Sequence, residues 1–290
     1  MAKDIWTQSR LKTWQICPYK EALRYREKLA PISIKRSLSI GTAIHKGLET
    51  WSIPAALEAL RLPYANSQEE QDENDLAEVT VKALLEGYSK VFEPFESHMP
   101  EYSFDLPMMN EYHHKSSSYR ICGKIDDIAT INDENWIVEY KTAGKLDGAY
   151  MERLYLDSQI TMYMLAAKRL GWKPVGVIYR ILRKPQLRKG KTESKEQFLN
   201  RLEKDIADRP DFYFTEQLLR RTDEDLEAFE KQLWDETHLA NKLYKENKVY
   251  PHSANCNLYG QCEYMPICTR QEGCEALYET REPNEELKGE

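Results

Sequence analysis

The chain has 290 residues, of which 48 are acidic and 41 basic, for a formal net charge of −7 at pH 7. That balance excludes a uniformly basic coat and leaves room only for local basic patches. No apolar stretch approaches the roughly 18 residues that a membrane span needs, and no charged leader precedes an apolar core. The expectation is therefore a cytoplasmic protein with no membrane association. No long Gly/Ser or Pro tract divides the sequence, so one domain with helical additions is expected over 1–290. Six cysteines in such a compartment are expected as thiols or metal ligands rather than disulfides.

In chain order, Cys17 comes first, in WQICPYKEA, where it adjoins a proline and opens a helix. Ser39 to Trp51 reads SIGTAIHKGLETW, with Ile44, Leu48 and Trp51 at helical spacing as a buried stripe. His45 sits beside that stripe and reads either as a satisfied boundary residue or as a ligand. Glu49, one turn on, reads as a solvated charge. The acidic stretch from Gln68 to Glu78 and the tail from Glu282 to Glu290 read as solvated surface or frayed ends.

Gly123 to Thr142 runs GKIDDIATINDENWIVEYKT, placing Asp126 thirteen residues ahead of Glu139. Across WIVEYK, strand alternation sets Trp136, Val138 and Tyr140 on one face and Ile137, Glu139 and Lys141 on the other. Asn132 to Asn135 has the composition of a turn, so RICGKIDDIATI is expected to fold back as the antiparallel partner strand, with Asp126 and Asp127 facing opposite sides. Two carboxylates and an ammonium then converge inside an apolar sheet. Burying them costs desolvation energy unless something compensates, and a divalent metal is the natural compensator.

The next segment, LDSQITMYMLAAKRLG, is a helix in which Gln159 and Tyr163 share a face. The pair suits either a grip on a phosphate or base edge or a plain helix boundary. Gly171 caps this helix, and PVGVIYRIL reads as another strand. The order strand, strand, helix, strand suggests a mixed sheet flanked by helices. Arg180 to Lys191, RILRKPQLRKGK, has six basic residues and no acidic one, which suits a phosphate-backbone tether or a solvated loop. Glu193 to Asn247 has helical periodicity through Leu226, Phe229, Leu233 and Leu239 and reads as a helical cover.

Cys256, Cys262 and Cys268 recur with five residues between neighbours, and Gly260 and Pro266 supply the bends that a ligand loop needs. Thiolates favour zinc or an iron–sulfur cluster. Cys17 is the best fourth ligand, with Cys122 and Cys274 as arithmetical substitutes. A site including Cys17 would clasp the two ends of the chain.

Together these segments resemble the PD-(D/E)XK nuclease superfamily, and within it the RecB-like exonucleases that carry an iron–sulfur cluster. GTAIHKGLE resembles the family's histidine helix, GKID its aspartate strand, EYKT its (D/E)XK strand and SQITMY its QxxxY helix. One N-terminal cysteine plus three near the C-terminus is similar to the cluster ligation of AddB-type, CRISPR-adaptation and phage recombination members, although the first gap in that pattern is usually shorter.

The resemblance implies an α/β fold, a mixed central sheet flanked by helices in a restriction-endonuclease-like core over 38–182. It further implies a basic loop and helical cover over 183–249 and cluster-binding ends at 1–30 and 250–275. Mg²⁺ or Mn²⁺ would be held by His45, Asp126, Glu139 and the Tyr140 backbone carbonyl. Lys141 would orient or help deprotonate the attacking water, and Gln159 and Tyr163 would hold DNA. Arg180, Arg183, Lys184, Arg188 and Lys189 would be further DNA contacts, and Cys17, Cys256, Cys262 and Cys268 would ligate a cluster of 4Fe–4S type. The implied activity is metal-dependent exonucleolytic hydrolysis of single-stranded DNA or DNA ends, in recombination, repair or phage DNA processing. The alternatives are a CRISPR-adaptation nuclease trimming precursor DNA and a non-catalytic DNA-binding assembly subunit. The chain has no Walker-type GxxxxGK[ST] sequence, so strand opening would require a helicase or recombination partner.

Overall fold

The structure, a computed structural model, describes residues 4–32, 36–62, 64–95, 99–258, 260–284 and 287. It opens with β1 (Asp4–Trp6), α1 (Gln8–Ile16) and α2 (Pro18–Glu21), followed by one π-helical turn and β2 (Leu29–Pro31). Thr7 starts α1 by accepting the Arg10 N–H, and Pro18 starts α2 from Cys17.

Three helices follow: α3 (Arg36–Thr50), α4 (Ile53–Ala59) and α5 (Gln68–Val91). The acidic stretch is the first half of α5. Ser67 caps that helix, and Glu69 and Glu70 lie in its first turn, where the helix dipole favours negative charge. In α3, Ile44 and Leu48 are buried as expected, but Trp51 lies just beyond the helix with φ +51° and is 39% exposed. The end of the helix turns it out of the stripe.

The strands β3 (Tyr102–Met109), β4 (Lys115–Ile125), β5 (Asp127–Ile131) and β6 (Glu134–Ala143) come next. They correct one expectation. RICGKIDDIATI is not a single strand, because the chain breaks at Asp126 and its two halves join different sheets. β4 pairs with β1 and β3 in a three-stranded sheet, whereas β5 pairs antiparallel with β6.

From β6 the chain passes through α6 (Gly148–Arg153) and α7 (Ser158–Arg169) into β7 (Gly176–Arg183), which lies parallel to β6. Gly171 follows α7 with φ +86°, a conformation that glycine adopts without strain. After α8 (Lys195–Asp208) and α9 (Pro210–Tyr213) comes β8 (Phe214–Leu219), then α10 (Asp223–Lys245). The helical cover expected over Glu193–Asn247 is thus interrupted by a strand, antiparallel to β7, that completes the sheet order β5-β6-β7-β8. β8 is an edge strand with Leu218 turned to solvent, which hid its alternation.

Val138 and Tyr140 of β6 pack with Ile44 of α3, Leu84 of α5 and Leu202 of α8 on one face of this mixed sheet. On the other face, Ile137 and Ile181 pack with α7, which also contacts Phe104 and Ile125 of the smaller sheet and Leu233 of α10.

α11 (Met265–Cys268) and β9 (Tyr278–Thr280) end the described fold, with β9 antiparallel to β2. The two ends are also joined by Asn255 Nδ2 donating to Ile16 O at 2.7 Å and Tyr264 Oη donating to Leu29 O at 2.7 Å. Part of the C-terminal tail expected to be frayed lies outside the described residues. No helix among the described residues is long and apolar enough to cross a membrane.

Candidate active site

The break at Asp126 builds the site. β5 begins at Asp127, opposite Val138, so the edge of β6 beyond that point lacks a ladder partner on this side. The carboxylate of Asp126 takes up the vacancy, and its Oδ2 accepts the Tyr140 N–H at 2.8 Å. The same oxygen lies 3.4 Å from His45 Nδ1, presented by α3. On the α7 side of β6, Glu139 and Lys141 are ion-paired through Oε1 and Nζ. Gln159 Nε2 donates to Glu139 Oε1 at 2.8 Å and lies 3.0 Å from the Tyr163 hydroxyl.

Gly123 makes the approach of Tyr163 feasible. A Cβ there would fall 2.6 Å from the Phe104 ring and 3.3 Å from Tyr163 Cε1. The side chain of Tyr140 points to the other face, into the core beside Tyr88.

The charges are unequal. Burial opposes ionisation of Asp126, but the charge and hydrogen bond of His45, with Lys141, outweigh it and hold the carboxyl below its usual range. Burial also opposes charge on His45, and Asp126 outweighs it, so the imidazole is held above its ordinary value. The Lys141 ammonium is likewise favoured by Glu139 and Asp126 against burial. Glu139 goes the other way. Burial, reinforced by the negative charge of Asp126, pushes it up to about 7 despite Lys141.

Glu139 is 1% exposed, and its Oε2 has no hydrogen-bond partner. An orphaned buried carboxylate oxygen is unfavourable. One imidazole nitrogen and two carboxylates, one with a free lone pair, form a donor set that fits a hard divalent cation. Among the described residues, no group of three or more His, Cys, Asp or Glu side chains is already gathered to hold a metal ion.

The basic run does not gather here. Arg180 is 7% exposed and on the opposite face of the sheet, where it pairs with Glu216 and stacks on Phe92 and Phe95. As a core residue it is withdrawn as a DNA contact. Arg183 stacks on Phe212 and donates to Leu146 O at 2.8 Å, and Lys189 lies 3.9 Å from Asp72 of α5. Burial holds the Lys184 ammonium below its ordinary value, and Arg188 is exposed.

Cys17, Cys256, Cys262 and Cys268 line one cavity of about 170 Å³ between the chain ends. The His252 N–H points at Cys17 Sγ at 3.4 Å. Burial, with the other three cysteines adding, pushes Cys268 up to about 11. Cys122 is outside this cavity, hydrogen-bonded to Asp105, and Cys274 is buried away from its lining.

Two charged residues beside the site escaped the sequence. Lys124 is ion-paired with Glu101, whose N–H donates to Asp126 O at 2.8 Å. Lys124 could have been found, since it stands two residues before Asp126 in GKID. Glu101 carries no local signal, because it comes from the segment ahead of β3.

A family model described as the PD-(D/E)XK nuclease superfamily matches residues 5–269. A comparison with curated proteins gives no match. Among solved structures, the chain is similar to a protein from Eubacterium rectale provisionally named an exonuclease, at 10% identity and a TM-score of 0.49, covering 92% of this chain and 88% of that one. It is also similar to a phage-related exonuclease from Haemophilus somnus, at 12% identity and a TM-score of 0.33, covering 71% of this chain and 82% of that one.

Proposed function

The chain belongs to the PD-(D/E)XK nuclease superfamily, and from that premise we propose that it is a metal-dependent DNA exonuclease of the RecB-like group, acting on single strands or ends. The observation that carries this reading is the buried Glu139 Oε2, left without a donor beside an ionised Asp126 and the Lys141 ammonium.

His45, Asp126, Glu139 and the Tyr140 carbonyl would hold Mg²⁺ or Mn²⁺. Bound there, the cation would supply Lewis-acid charge to the scissile phosphate. Lys141 orients the attacking water and adds positive charge where the phosphorane oxygens gain negative charge. Asp126 is ionised by its neighbours and fixed by the Tyr140 N–H, so it needs little reorganisation. Gln159 is hydrogen-bonded to Glu139 and Tyr163, and Gln159 and Tyr163 would hold the DNA strand. Strand opening is assigned to a separate helicase or recombination protein.

Cys17, Cys256, Cys262 and Cys268 are assigned to an iron–sulfur cluster of 4Fe–4S type. Four thiols lining one cavity supply the all-thiolate donor set that such a cluster uses. The cluster's role is that of a clasp.

The test is digestion of DNA labelled at its 5′ or 3′ end, single- and double-stranded, with Mg²⁺ or Mn²⁺, by anaerobically purified wild type and Lys141→Ala. Metal-dependent shortening that is lost in the variant supports the reading, and the first label released gives the polarity. Absence of cleavage by folded wild type on every substrate and with both metals would remove it.

A further inference from the structure

Lys124 and Glu101 have no part in the roles assigned above. Lys124 is the penultimate residue of β4, two positions before Asp126, and its ammonium is paired with Glu101 Oε2. Glu101 is in turn fastened to Asp126 by its own N–H. The ion pair is therefore tied to the main chain of the residue at the centre of the site. Both side chains reach solvent, Lys124 at 37% exposure and Glu101 at 22%. This pair is unlike Lys141–Glu139, whose carboxylate is sealed from water.

We propose, on the reading of the chain as a DNA nuclease, that Lys124 binds the phosphate of a nucleotide flanking the scissile one, and that Glu101 holds its ammonium until DNA arrives. A partly exposed lysine on a flexible stem exchanges one anion for another at small cost. DNA phosphate has an advantage over Glu101, because its capture also releases condensed counterions. Two cations of the larger sheet are engaged differently. Lys141 is held by Glu139, and Arg180 is buried on the far face. Glu101 thus tunes affinity, since it masks the Lys124 charge in the free enzyme.

The test uses the full chain and a fluorescent single-stranded oligonucleotide, with binding measured in Ca²⁺ over a salt series and cleavage in Mg²⁺. Lys124→Ala is expected to weaken binding on the order of five- to tenfold and to lower the slope of log Kd against log salt by about 0.7, because one phosphate contact to a single strand is lost. The cleavage defect should fall on KM rather than kcat, and Lys124→Arg should restore the salt slope. Glu101→Gln should tighten binding severalfold, and Lys124→Ala should abolish that gain when the two are combined.

An unchanged salt slope in folded Lys124→Ala would overturn the proposal. So would a Glu101→Gln gain that survives without Lys124. The binding experiment also separates this idea from the nuclease reading. The predicted slopes in a protein that cuts nothing would keep Lys124 and remove the nuclease reading, whereas cleavage with unchanged slopes would do the reverse. Absence of DNA binding by wild type would remove both.

Discussion

The Tyr140 main-chain N–H donates to Asp126 Oδ2 at 2.8 Å, in the position where a longer β5 would have offered a carbonyl. One carboxylate therefore ends a strand pairing and anchors the site, and the two duties can be separated. Asp126→Ala should cost about 1–3 kcal/mol of stability, because it leaves a main-chain donor unpaired, and should abolish cleavage. Asp126→Asn keeps an acceptor for that N–H, so it should recover most of the stability and none of the activity. Urea denaturation beside end-labelled digestion reads both, and an alanine variant as stable as wild type would contradict the anchoring role.

Glu139 predicts an unusual pH dependence. Its folded pKa of about 7 stands above its ordinary 4.5. Its contribution to stability is therefore fully present below about pH 4.5 and is lost as pH rises through 7. In the presence of a chelator, Glu139→Gln should be more stable than wild type at pH 8, by on the order of 1–3 kcal/mol, and equal to it near pH 4.5. Added Mn²⁺ should stabilise wild type at pH 8 and release a proton as it binds at pH 6. Parallel pH profiles for the two proteins would contradict this account of Glu139.

Gly123→Ala probes the contact between GKID and α7. The new methyl would meet Phe104 and Tyr163 at the distances given above, so the rings must move apart. A loss of roughly 1–3 kcal/mol is expected from overpacking. Because Tyr163 touches Gln159, and Gln159 touches Glu139, kcat should fall as well. Thermal melts and single-turnover rates would show this, and an unaltered rate would mean that Tyr163 does not position Gln159.

Cys17→Ser tests the clasp. The variant should lose iron, sulfide and visible absorbance together, and its segment 250–280 should become sensitive to protease. Unchanged iron content would reject Cys17 as a ligand, and stoichiometric zinc in colourless wild type would reject the cluster.

The alternation in WIVEYK was legible because Val138 and Tyr140 face a deep core while Glu139 and Lys141 face the site, so period two survives in the sequence. The helix carrying Gln159 and Tyr163 was legible for the same kind of reason. β8 was not, because an edge strand is buried on too few positions to show its period. The break at Asp126 left no mark either. Both flanking segments are good strands, and what separates them is that β4 pairs with β3, a strand from outside the segment, while β5 pairs with β6. The basic run misled at Arg180, since composition counts its charge but cannot see that Phe92, Phe95 and Glu216 enclose it.

The pairing of β2 with β9 also orders the protein's biosynthesis. Leu29 waits for Thr280, and Ile16 for Asn255, so the N-terminal segment leaves the ribosome without its partners. The sheet β5-β6-β7-β8 is complete by Leu219 and its cover α10 by Lys245, so both can pack while the cysteine loop is still being translated. Closure of the clasp therefore follows completion of the sheet, and a ribosome stalled before residue 255 would hold a chain with a built sheet and an open clasp.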